Sequence, residues 1–205
     1  MTEWRLFPEG TIPDFTTVEF FEKHPWIAPA HQMGHRERTA MVATLIREFI
    51  ADHPVGSISD LGCGDGSLLA SISDLPLSAW GYDAGKANVD QARSHGLDVR
   101  HANLMSPGLE YGELITASEV VEHLVDPHGF IAGLPGRALI LSSPSAEDGD
   151  WHYEHHSWAW DMEGYAALVT GAGWTIIRHV ECDAPDNFHG GVQRPQRFQA
   201  LAAIK

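Results

Sequence analysis

Basic residues are scarce in this sequence, and cysteines are scarcer. Thirteen lysines and arginines face 28 aspartates and glutamates in 205 residues, a formal charge of −15 with histidine neutral. A surface this acidic repels a phosphate polymer over most of its area, so long nucleic acid is an unfavourable partner. The arginines fall in small groups, Arg36 with Arg38 and Arg194 with Arg197, and form no stripe. Two cysteines, Cys63 and Cys182, make no disulfide framework, and a reducing compartment is the expectation. No apolar run reaches the ~20 residues that a membrane-crossing helix needs. The opening Met1-Thr2-Glu3-Trp4-Arg5 lacks the basic-then-apolar layout of a secretory leader. Internal repeats and low-complexity tracts are missing too. Together these features predict a cytoplasmic protein without membrane attachment, and nothing in them specifies an oligomeric state.

What is present is an alternation of short apolar runs and helical patterns, at a length that suits one α/β domain. Residues 1–33 form an aromatic and proline-rich lead-in, with a short helix over 16–21 bounded by Pro25, and residues 34–205 form the domain proper. Met41, Val42, Leu45, Ile46, Phe49 and Ile50 recur at helical spacing and predict a long helix over 34–51, ended by His53-Pro54. Strands are expected at 57–61, 78–83, 97–102, 113–117 and 138–143, with helices at 66–73, 86–95, 127–131 and 161–172 between or after them. A further helix is expected from about Ser118 through Leu124, and two closing strands at 174–182 and 197–204. This rhythm argues for a doubly wound, mainly parallel sheet.

The most informative stretch is Ser57-Ile58-Ser59-Asp60-Leu61-Gly62-Cys63-Gly64-Asp65-Gly66. A strand ends beside an acid, and glycines at alternate positions open onto a helix. Such a turn exposes backbone to a ligand at the edge of an α/β sheet where cofactors settle. Asp83 ends the next strand, so two acidic strand ends flank the glycine turn. The spacing G-x-G-x-G is not the dinucleotide fingerprint G-x-G-x-x-G.

It resembles motif I of the class I S-adenosylmethionine-dependent methyltransferases, (D/E)-x-G-x-G-x-G. The similarity extends through Asp83, His101-Ala102-Asn103-Leu104, Ser118-Glu119-Val120-Val121-Glu122-His123-Leu124, Ala138–Ser145 and the Gly171-Ala172-Gly173-Trp174 turn, covering roughly residues 40–204. The resemblance implies a Rossmann-like seven-stranded fold with helices on both faces, S-adenosyl-L-methionine as cofactor, and a closing antiparallel hairpin. It assigns Gly62, Cys63, Gly64 and Gly66 to the turn against the cofactor and Asp60 to its amino-acid end. Asp83 and Ala84 go to the ribose, Asn103 and Leu104 to the adenine, and Ser118 and Glu119 to the methyl-facing loop. Asn103 stands where the family usually has aspartate. Cys63 is read as a small packing residue rather than a redox thiol.

On a helix beginning near Ser118, Glu119, Glu122 and His123 share one face. That segment is similar to the small-RNA 3′-terminal 2′-O-methyltransferases, whose two glutamates and histidine, with a later histidine, bind a metal; the later residue would be His156. The reading preferred from sequence is without metal: His123, or one of His152, His155 and His156, serves an oxygen or nitrogen nucleophile as general base, with His123, His156 and Glu119 taken as the catalytic residues. Ser145-Ala146-Glu147-Asp148-Gly149-Asp150 reads as a solvated acidic turn, followed by a histidine–tryptophan cluster that shapes the acceptor pocket or closes over the cofactor. His31-Gln32-Met33-Gly34-His35 faces the same pocket in this reading. The expected activity is methyl transfer to a small-molecule acceptor. The alternatives are a metal-assisted methyltransferase of RNA 3′ ends and a non-catalytic binder of the cofactor.

Overall fold

The computed structural model describes residues 2–8, 10–23, 33–145, 147–189 and 192–205, with side chains described at all of these except Met33, 185–189 and 192–196. Pro25, His31, Gln32 and the side chain of Arg194 lie outside the described residues.

The chain runs β1 (Glu3–Arg5), α1 (Val18–Lys23), α2 (Met33–Asp52), β2 (Ser57–Leu61), α3 (Ser67–Ser71), β3 (Ser78–Asp83), α4 (Lys86–Ser94) and β4 (Val99–His101). It continues with β5 (Leu114–Ser118), α5 (Pro127–Gly133), β6 (Ala138–Pro144), β7 (Trp158–Trp160), α6 (Met162–Gly171), β8 (Thr175–His189) and β9 (Val192–Ile204). Seven strands form one sheet in the order β4-β3-β2-β5-β6-β9-β8, all parallel except β9. The expected doubly wound sheet with its closing hairpin is the observed one. The chain moves outward from β2 to β4, then returns to start β5 on the other side of β2. The crevice at the carboxyl ends of β2 and β5 is therefore the topological switch point, where such sheets take ligands.

Both faces of the sheet are covered, which explains the unbroken burial of β6, from Ala138 to Pro144. Alternating side chains feed two cores. Ile58, Leu114 and Ile140 meet Val42, Leu45, Ile46 and Phe49 of α2, whose spacing places them on one helix face. Ile115, Leu139 and Leu141 point the other way, onto Trp158, Trp160, Tyr165 and Leu168. α2 closes where the sequence predicts: the His53 ring stacks on Phe49 at 5.0 Å, and Pro54 follows. The buried polar residues of β2 are matched by their neighbours. Ser59 Oγ accepts from Gly112 N at 3.0 Å, and Asp60 accepts from Thr116 Oγ1 at 2.7 Å.

Two expectations need correction, and one strand is additional. The helix expected from Ser118 to Leu124 is a single 3-10 turn, Val121–His123, because Glu119 takes a left-handed φ of 57° straight after β5 and breaks the helical path. The closing hairpin is longer than the apolar runs implied, with register shifts at Ile176/Arg178 and Ala184/Asn187. The lead-in also supplies a strand: Glu3 pairs with Trp160 and Arg5 with Trp158 in a separate two-stranded ribbon. Trp158 and Trp160, two residues apart, face the same side. Their indole N–H groups donate to Leu124 O at 2.9 Å and Glu3 Oε2 at 2.7 Å. A three-residue strand carries too little periodicity to be seen in advance.

Trp160 is fully buried and joins this ribbon to α6 through Tyr165, 5.7 Å away. Trp160→Ala should lower unfolding free energy by about 3–5 kcal/mol in urea titration. A loss below about 1 kcal/mol would mean that the ribbon carries little of the core.

Candidate functional site

The glycine turn after β2 has the backbone that its sequence demands. Gly62, Gly64 and Gly66 sit at φ 70°, 55° and 79°. A Cβ on Gly62 would lie 2.5 Å from Val120 Cγ2, and one on Gly66 would lie 2.4 Å from Leu97 Cδ1. Gly62 N and Cys63 N donate to Tyr82 O at 2.8 and 3.0 Å, so the turn is tied to the end of β3. Cys63 is buried against Gly81 and Leu69, and burial pushes its thiol well above the usual range. That environment fits packing rather than redox chemistry.

Asp83 lies at the end of β3 but is occupied in an unforeseen way. Its Oδ2 accepts from Gly64 N at 2.9 Å, and its Oδ1 accepts from Gly85 N at 2.8 Å and from Asn88 Nδ2 at 3.3 Å. The carboxylate thus braces the glycine turn, and with three donors on its two oxygens it keeps one lone pair, on Oδ2. Burial raises Asp83, against the pull of these donors. Asp60 is buried beneath the turn, and burial lifts its carboxyl to about 7. Asp65, absent from the sequence reading, accepts from Ser67 N and Oγ at 3.0 and 2.7 Å, which turns the chain into α3. Ala84 is buried and its carbonyl meets His101 Nε2 at 2.9 Å. Leu104 is buried near Gly62. Asn103 lies beyond β4, and its Oδ1 is taken by Met105 N at 2.8 Å.

The facing wall is the end of β5. Ser118 Oγ meets Ser142 Oγ at 2.7 Å, Ser142 Oγ donates to Glu119 Oε1 at 3.0 Å, and Arg38 Nη1 stands 3.5 Å from Glu119 Oε2. Glu119 has the left-handed backbone, a strain of about 1 kcal/mol or more that tends to mark functional sites. Burial raises its carboxyl to about 7 despite Arg38. Glu122 is fully buried, and neither carboxylate oxygen has a hydrogen-bond partner. Burial, and then the charge of Glu119, pushes it well above the usual range.

Glu122 is not alone in its pocket. Ligand atoms of Glu122, His123 and His156 lie within 4.8 Å of one another. The His123 Nδ1–H donates to His155 O at 2.8 Å, and the His156 Nδ1–H donates to Glu147 Oε2 at 2.6 Å. Each imidazole is thereby set with a free lone pair on Nε2. Burial keeps both uncharged, lowering His123 to about 3. An orphaned buried carboxylate calls for an explanation such as an ion. Two Nε2 atoms and a carboxylate form a donor set for a borderline divalent cation. The residues fit such a group. Glu119 is the member of the expected quartet that stays outside, turned to Ser142 and Arg38. The shared helix face was the wrong route to the cluster: the 3-10 turn and the loop before β7 assemble it, joined by Ser157 N donating to Glu122 O at 2.7 Å. A side chain with its pKa driven down to about 3 is also a weak proton acceptor, which counts against His123 as general base.

Sequence reasoning missed several site residues. Arg38 was visible as one of a pair of arginines, but its approach to Glu119 required the position of α2. Its Nη2 also donates to His35 Nδ1 at 2.7 Å. Tyr165 and Ser157 are fully buried, with unpartnered hydroxyls, and Tyr165 feels the charges of Glu122 and Glu119. Phe15, Phe20 and Tyr153 each pack within 5.4 Å, centroid to centroid, of His155.

A family model described as a methyltransferase domain matches residues 33–179. The chain is 26% identical over 178 residues to the ubiquinone biosynthesis O-methyltransferase of Cereibacter sphaeroides strain ATCC 17029, covering 78% of this chain and 66% of that protein. It is 33% identical over 128 residues to the protein of the same name from Ruegeria sp. strain TM1040, covering 56% and 52%. The chain thus spans at most about two thirds of the curated relatives it matches. Among solved structures, magnesium protoporphyrin IX methyltransferase from Synechocystis PCC 6803 with bound SAH superposes with a TM-score of 0.63 at 16% identity, covering 93% of this chain and 96% of that one. The methyltransferase domain of bacterial CtHen1 superposes with a TM-score of 0.59 at 16% identity, covering 82% and 100%.

Asp60 supplies a pH test. Its folded carboxyl takes a proton near 7, against 3.8 ordinarily, so the native state binds an extra proton between those values. Stability from this residue is therefore full at low pH and falls as pH rises through about 4 to 7. Asp60→Asn should be stabilising by on the order of 1–4 kcal/mol at pH 8, with the gain vanishing near pH 4. Equal effects at both pH values would contradict the raised carboxyl.

Proposed function

Because the chain belongs to the methyltransferase-domain family, we propose that it is an S-adenosylmethionine-dependent methyltransferase that acts on a hydroxyl oxygen of a small-molecule acceptor. The observation that carries the choice of oxygen is the meeting of Glu122, His123 and His156.

Methyl transfer from a sulfonium is an in-line displacement, in which the protein's task is to hold donor and nucleophile in line at attack distance. In this reading Gly62, Gly64 and Gly66 let the main chain approach the cofactor. Asp83, braced on Gly64 N, Gly85 N and Asn88 Nδ2, offers the remaining lone pair of Oδ2 to a ribose hydroxyl beside Ala84. Leu104 and Asn103 flank the adenine, and Asp60 faces the amino-acid end. Ser118 and Glu119 form the wall facing the methyl group, with Glu119 held by Ser142 and Arg38.

Glu122, His123 and His156 would hold a divalent cation such as Mn²⁺. When bound, a divalent cation acidifies a coordinated hydroxyl and fixes its oxygen. His123 and His156 contribute neutral Nε2 donors, since their Nδ1–H groups are already engaged. Glu122 contributes the negative charge that no neighbouring donor satisfies. The curated relatives are named for an O-methylation in ubiquinone biosynthesis, which agrees with an oxygen acceptor.

A second reading, 2′-O-methylation of an RNA 3′ end, draws on the same residues and on the likeness to the CtHen1 domain. The net charge of −15 weighs against it. Side-by-side assays on a catechol-type panel and on short RNA duplexes separate the two. Turnover of RNA alone would overturn the small-molecule reading.

Two outcomes test the assignment. Asp83→Ala should weaken binding of S-adenosylhomocysteine at least tenfold in calorimetry, and unchanged affinity would remove that strand end from the ribose. Chelation should abolish methyl transfer, and Mn²⁺ should restore it in the native protein but not in Glu122→Gln, with at least a hundredfold loss in kcat/KM. Full activity in that variant would overturn the metal-assisted reading.

A further inference from the structure

Glu147 comes from a stretch whose composition reads as a solvated acidic turn, yet it is 7% exposed, and its Oε2 lies 2.6 Å from His156 Nδ1. The loop bends back to make this contact. Asp148 Oδ1 accepts from Asp150 N and Trp151 N at 2.8 and 2.9 Å, and Asp148 N donates to Trp151 O at 2.9 Å. Tyr153 N reaches Glu147 Oε1 at 3.3 Å. Burying a carboxylate is costly unless it is paired and hydrogen-bonded. Here it is spent on Nδ1 of an imidazole that belongs to the Glu122–His123–His156 cluster, which leaves Nε2 for a ligand.

We propose that Glu147 is a positioning residue for a divalent-cation site: its carboxylate fixes His156 as the Nδ1–H tautomer and orients Nε2 toward Glu122 and His123. The proposal rests on the cation reading above. Without Glu147, His156 is free to carry its proton on Nε2, where it would block the ligand position, and its ring is free to turn. A carboxylate behind a histidine ligand also raises the basicity of the ligand nitrogen, and loss of such a partner typically weakens metal affinity about 10–100-fold. His123 gets the same tautomer from a backbone carbonyl, that of His155. His156 alone therefore depends on a side chain that substitution can remove.

The test uses the full chain with Mn²⁺ as probe. Calorimetry should give a Mn²⁺ affinity about 10–100-fold weaker for Glu147→Ala than for the native protein, with S-adenosylhomocysteine affinity unchanged, which excludes collapse of the crevice. Glu147→Gln keeps an oxygen acceptor and should fall between the two. In the metal-free protein, ¹⁵N chemical shifts of His156 should report the Nδ1–H tautomer in the native chain and lose it in Glu147→Ala. Native affinity in Glu147→Ala, or an unchanged tautomer, overturns the role of Glu147 and leaves the cation site standing. Failure of the native chain to bind Mn²⁺ overturns the cation reading itself, and this proposal with it.

Discussion

Burial of carboxyl groups is the constraint around which this molecule is arranged. Asp60, Asp83 and Glu122 are buried along the carboxyl edge of the sheet, and Glu119 has only 12% of its side chain exposed. The partners they find are mainly neutral: Thr116, the amides of Gly64 and Gly85, Ser142. Arg38 offsets one of them at 3.5 Å. Desolvation makes such groups resist ionising, and their raised carboxyls are its signature. A crevice built this way favours cations. In the proposed reading, a sulfonium cofactor with an ammonium group would satisfy the edge near the glycine turn, and a divalent ion would satisfy the pocket at Glu122.

The fold serves this arrangement through its topology. Parallel strands place their carboxyl ends on one edge, and the switch between β2 and β5 opens that edge at the point where Asp60 and Glu119 project. The glycines and the left-handed Glu119 keep both lips of the crevice in backbone conformations that a regular helix would not permit. The ribbon of Glu3–Arg5 with Trp158–Trp160 anchors the loop that carries Glu147, His155 and His156. The loop of Glu147, His155 and His156 is thus held by contacts far apart in sequence, while the glycine turn is tied chiefly to the next strand, β3.

That division explains what the sequence could reveal. Ser57–Leu61 and Ser78–Asp83 were legible to the residue, since their period, glycines and terminal acids are local signals. α2 was legible from the spacing of Val42, Leu45, Ile46 and Phe49. The composition after β5 suits a helix; the left-handed Glu119 that prevents it has no marker in the residue type. Glu122, His123 and His156 are visible in the sequence as metal candidates, but a 3-10 turn and a distant loop bring them together rather than a helix face. The burial of Glu147 is not legible in its acidic neighbours, because it depends on the path of a loop that closes nine residues later on His156. Arg38 is legible only as a charge, since its partner is 81 positions away in sequence.

The most direct measurement is a crystal structure of the protein grown with S-adenosylhomocysteine and Mn²⁺, with anomalous data collected at the manganese edge. The account predicts one strong anomalous peak bonded to Glu122, His123 Nε2 and His156 Nε2, with the cofactor's ribose on Asp83 and its sulfur facing that peak. A cofactor-bound crevice without the peak, and Glu122 instead hydrogen-bonded to a neighbouring side chain, would contradict it.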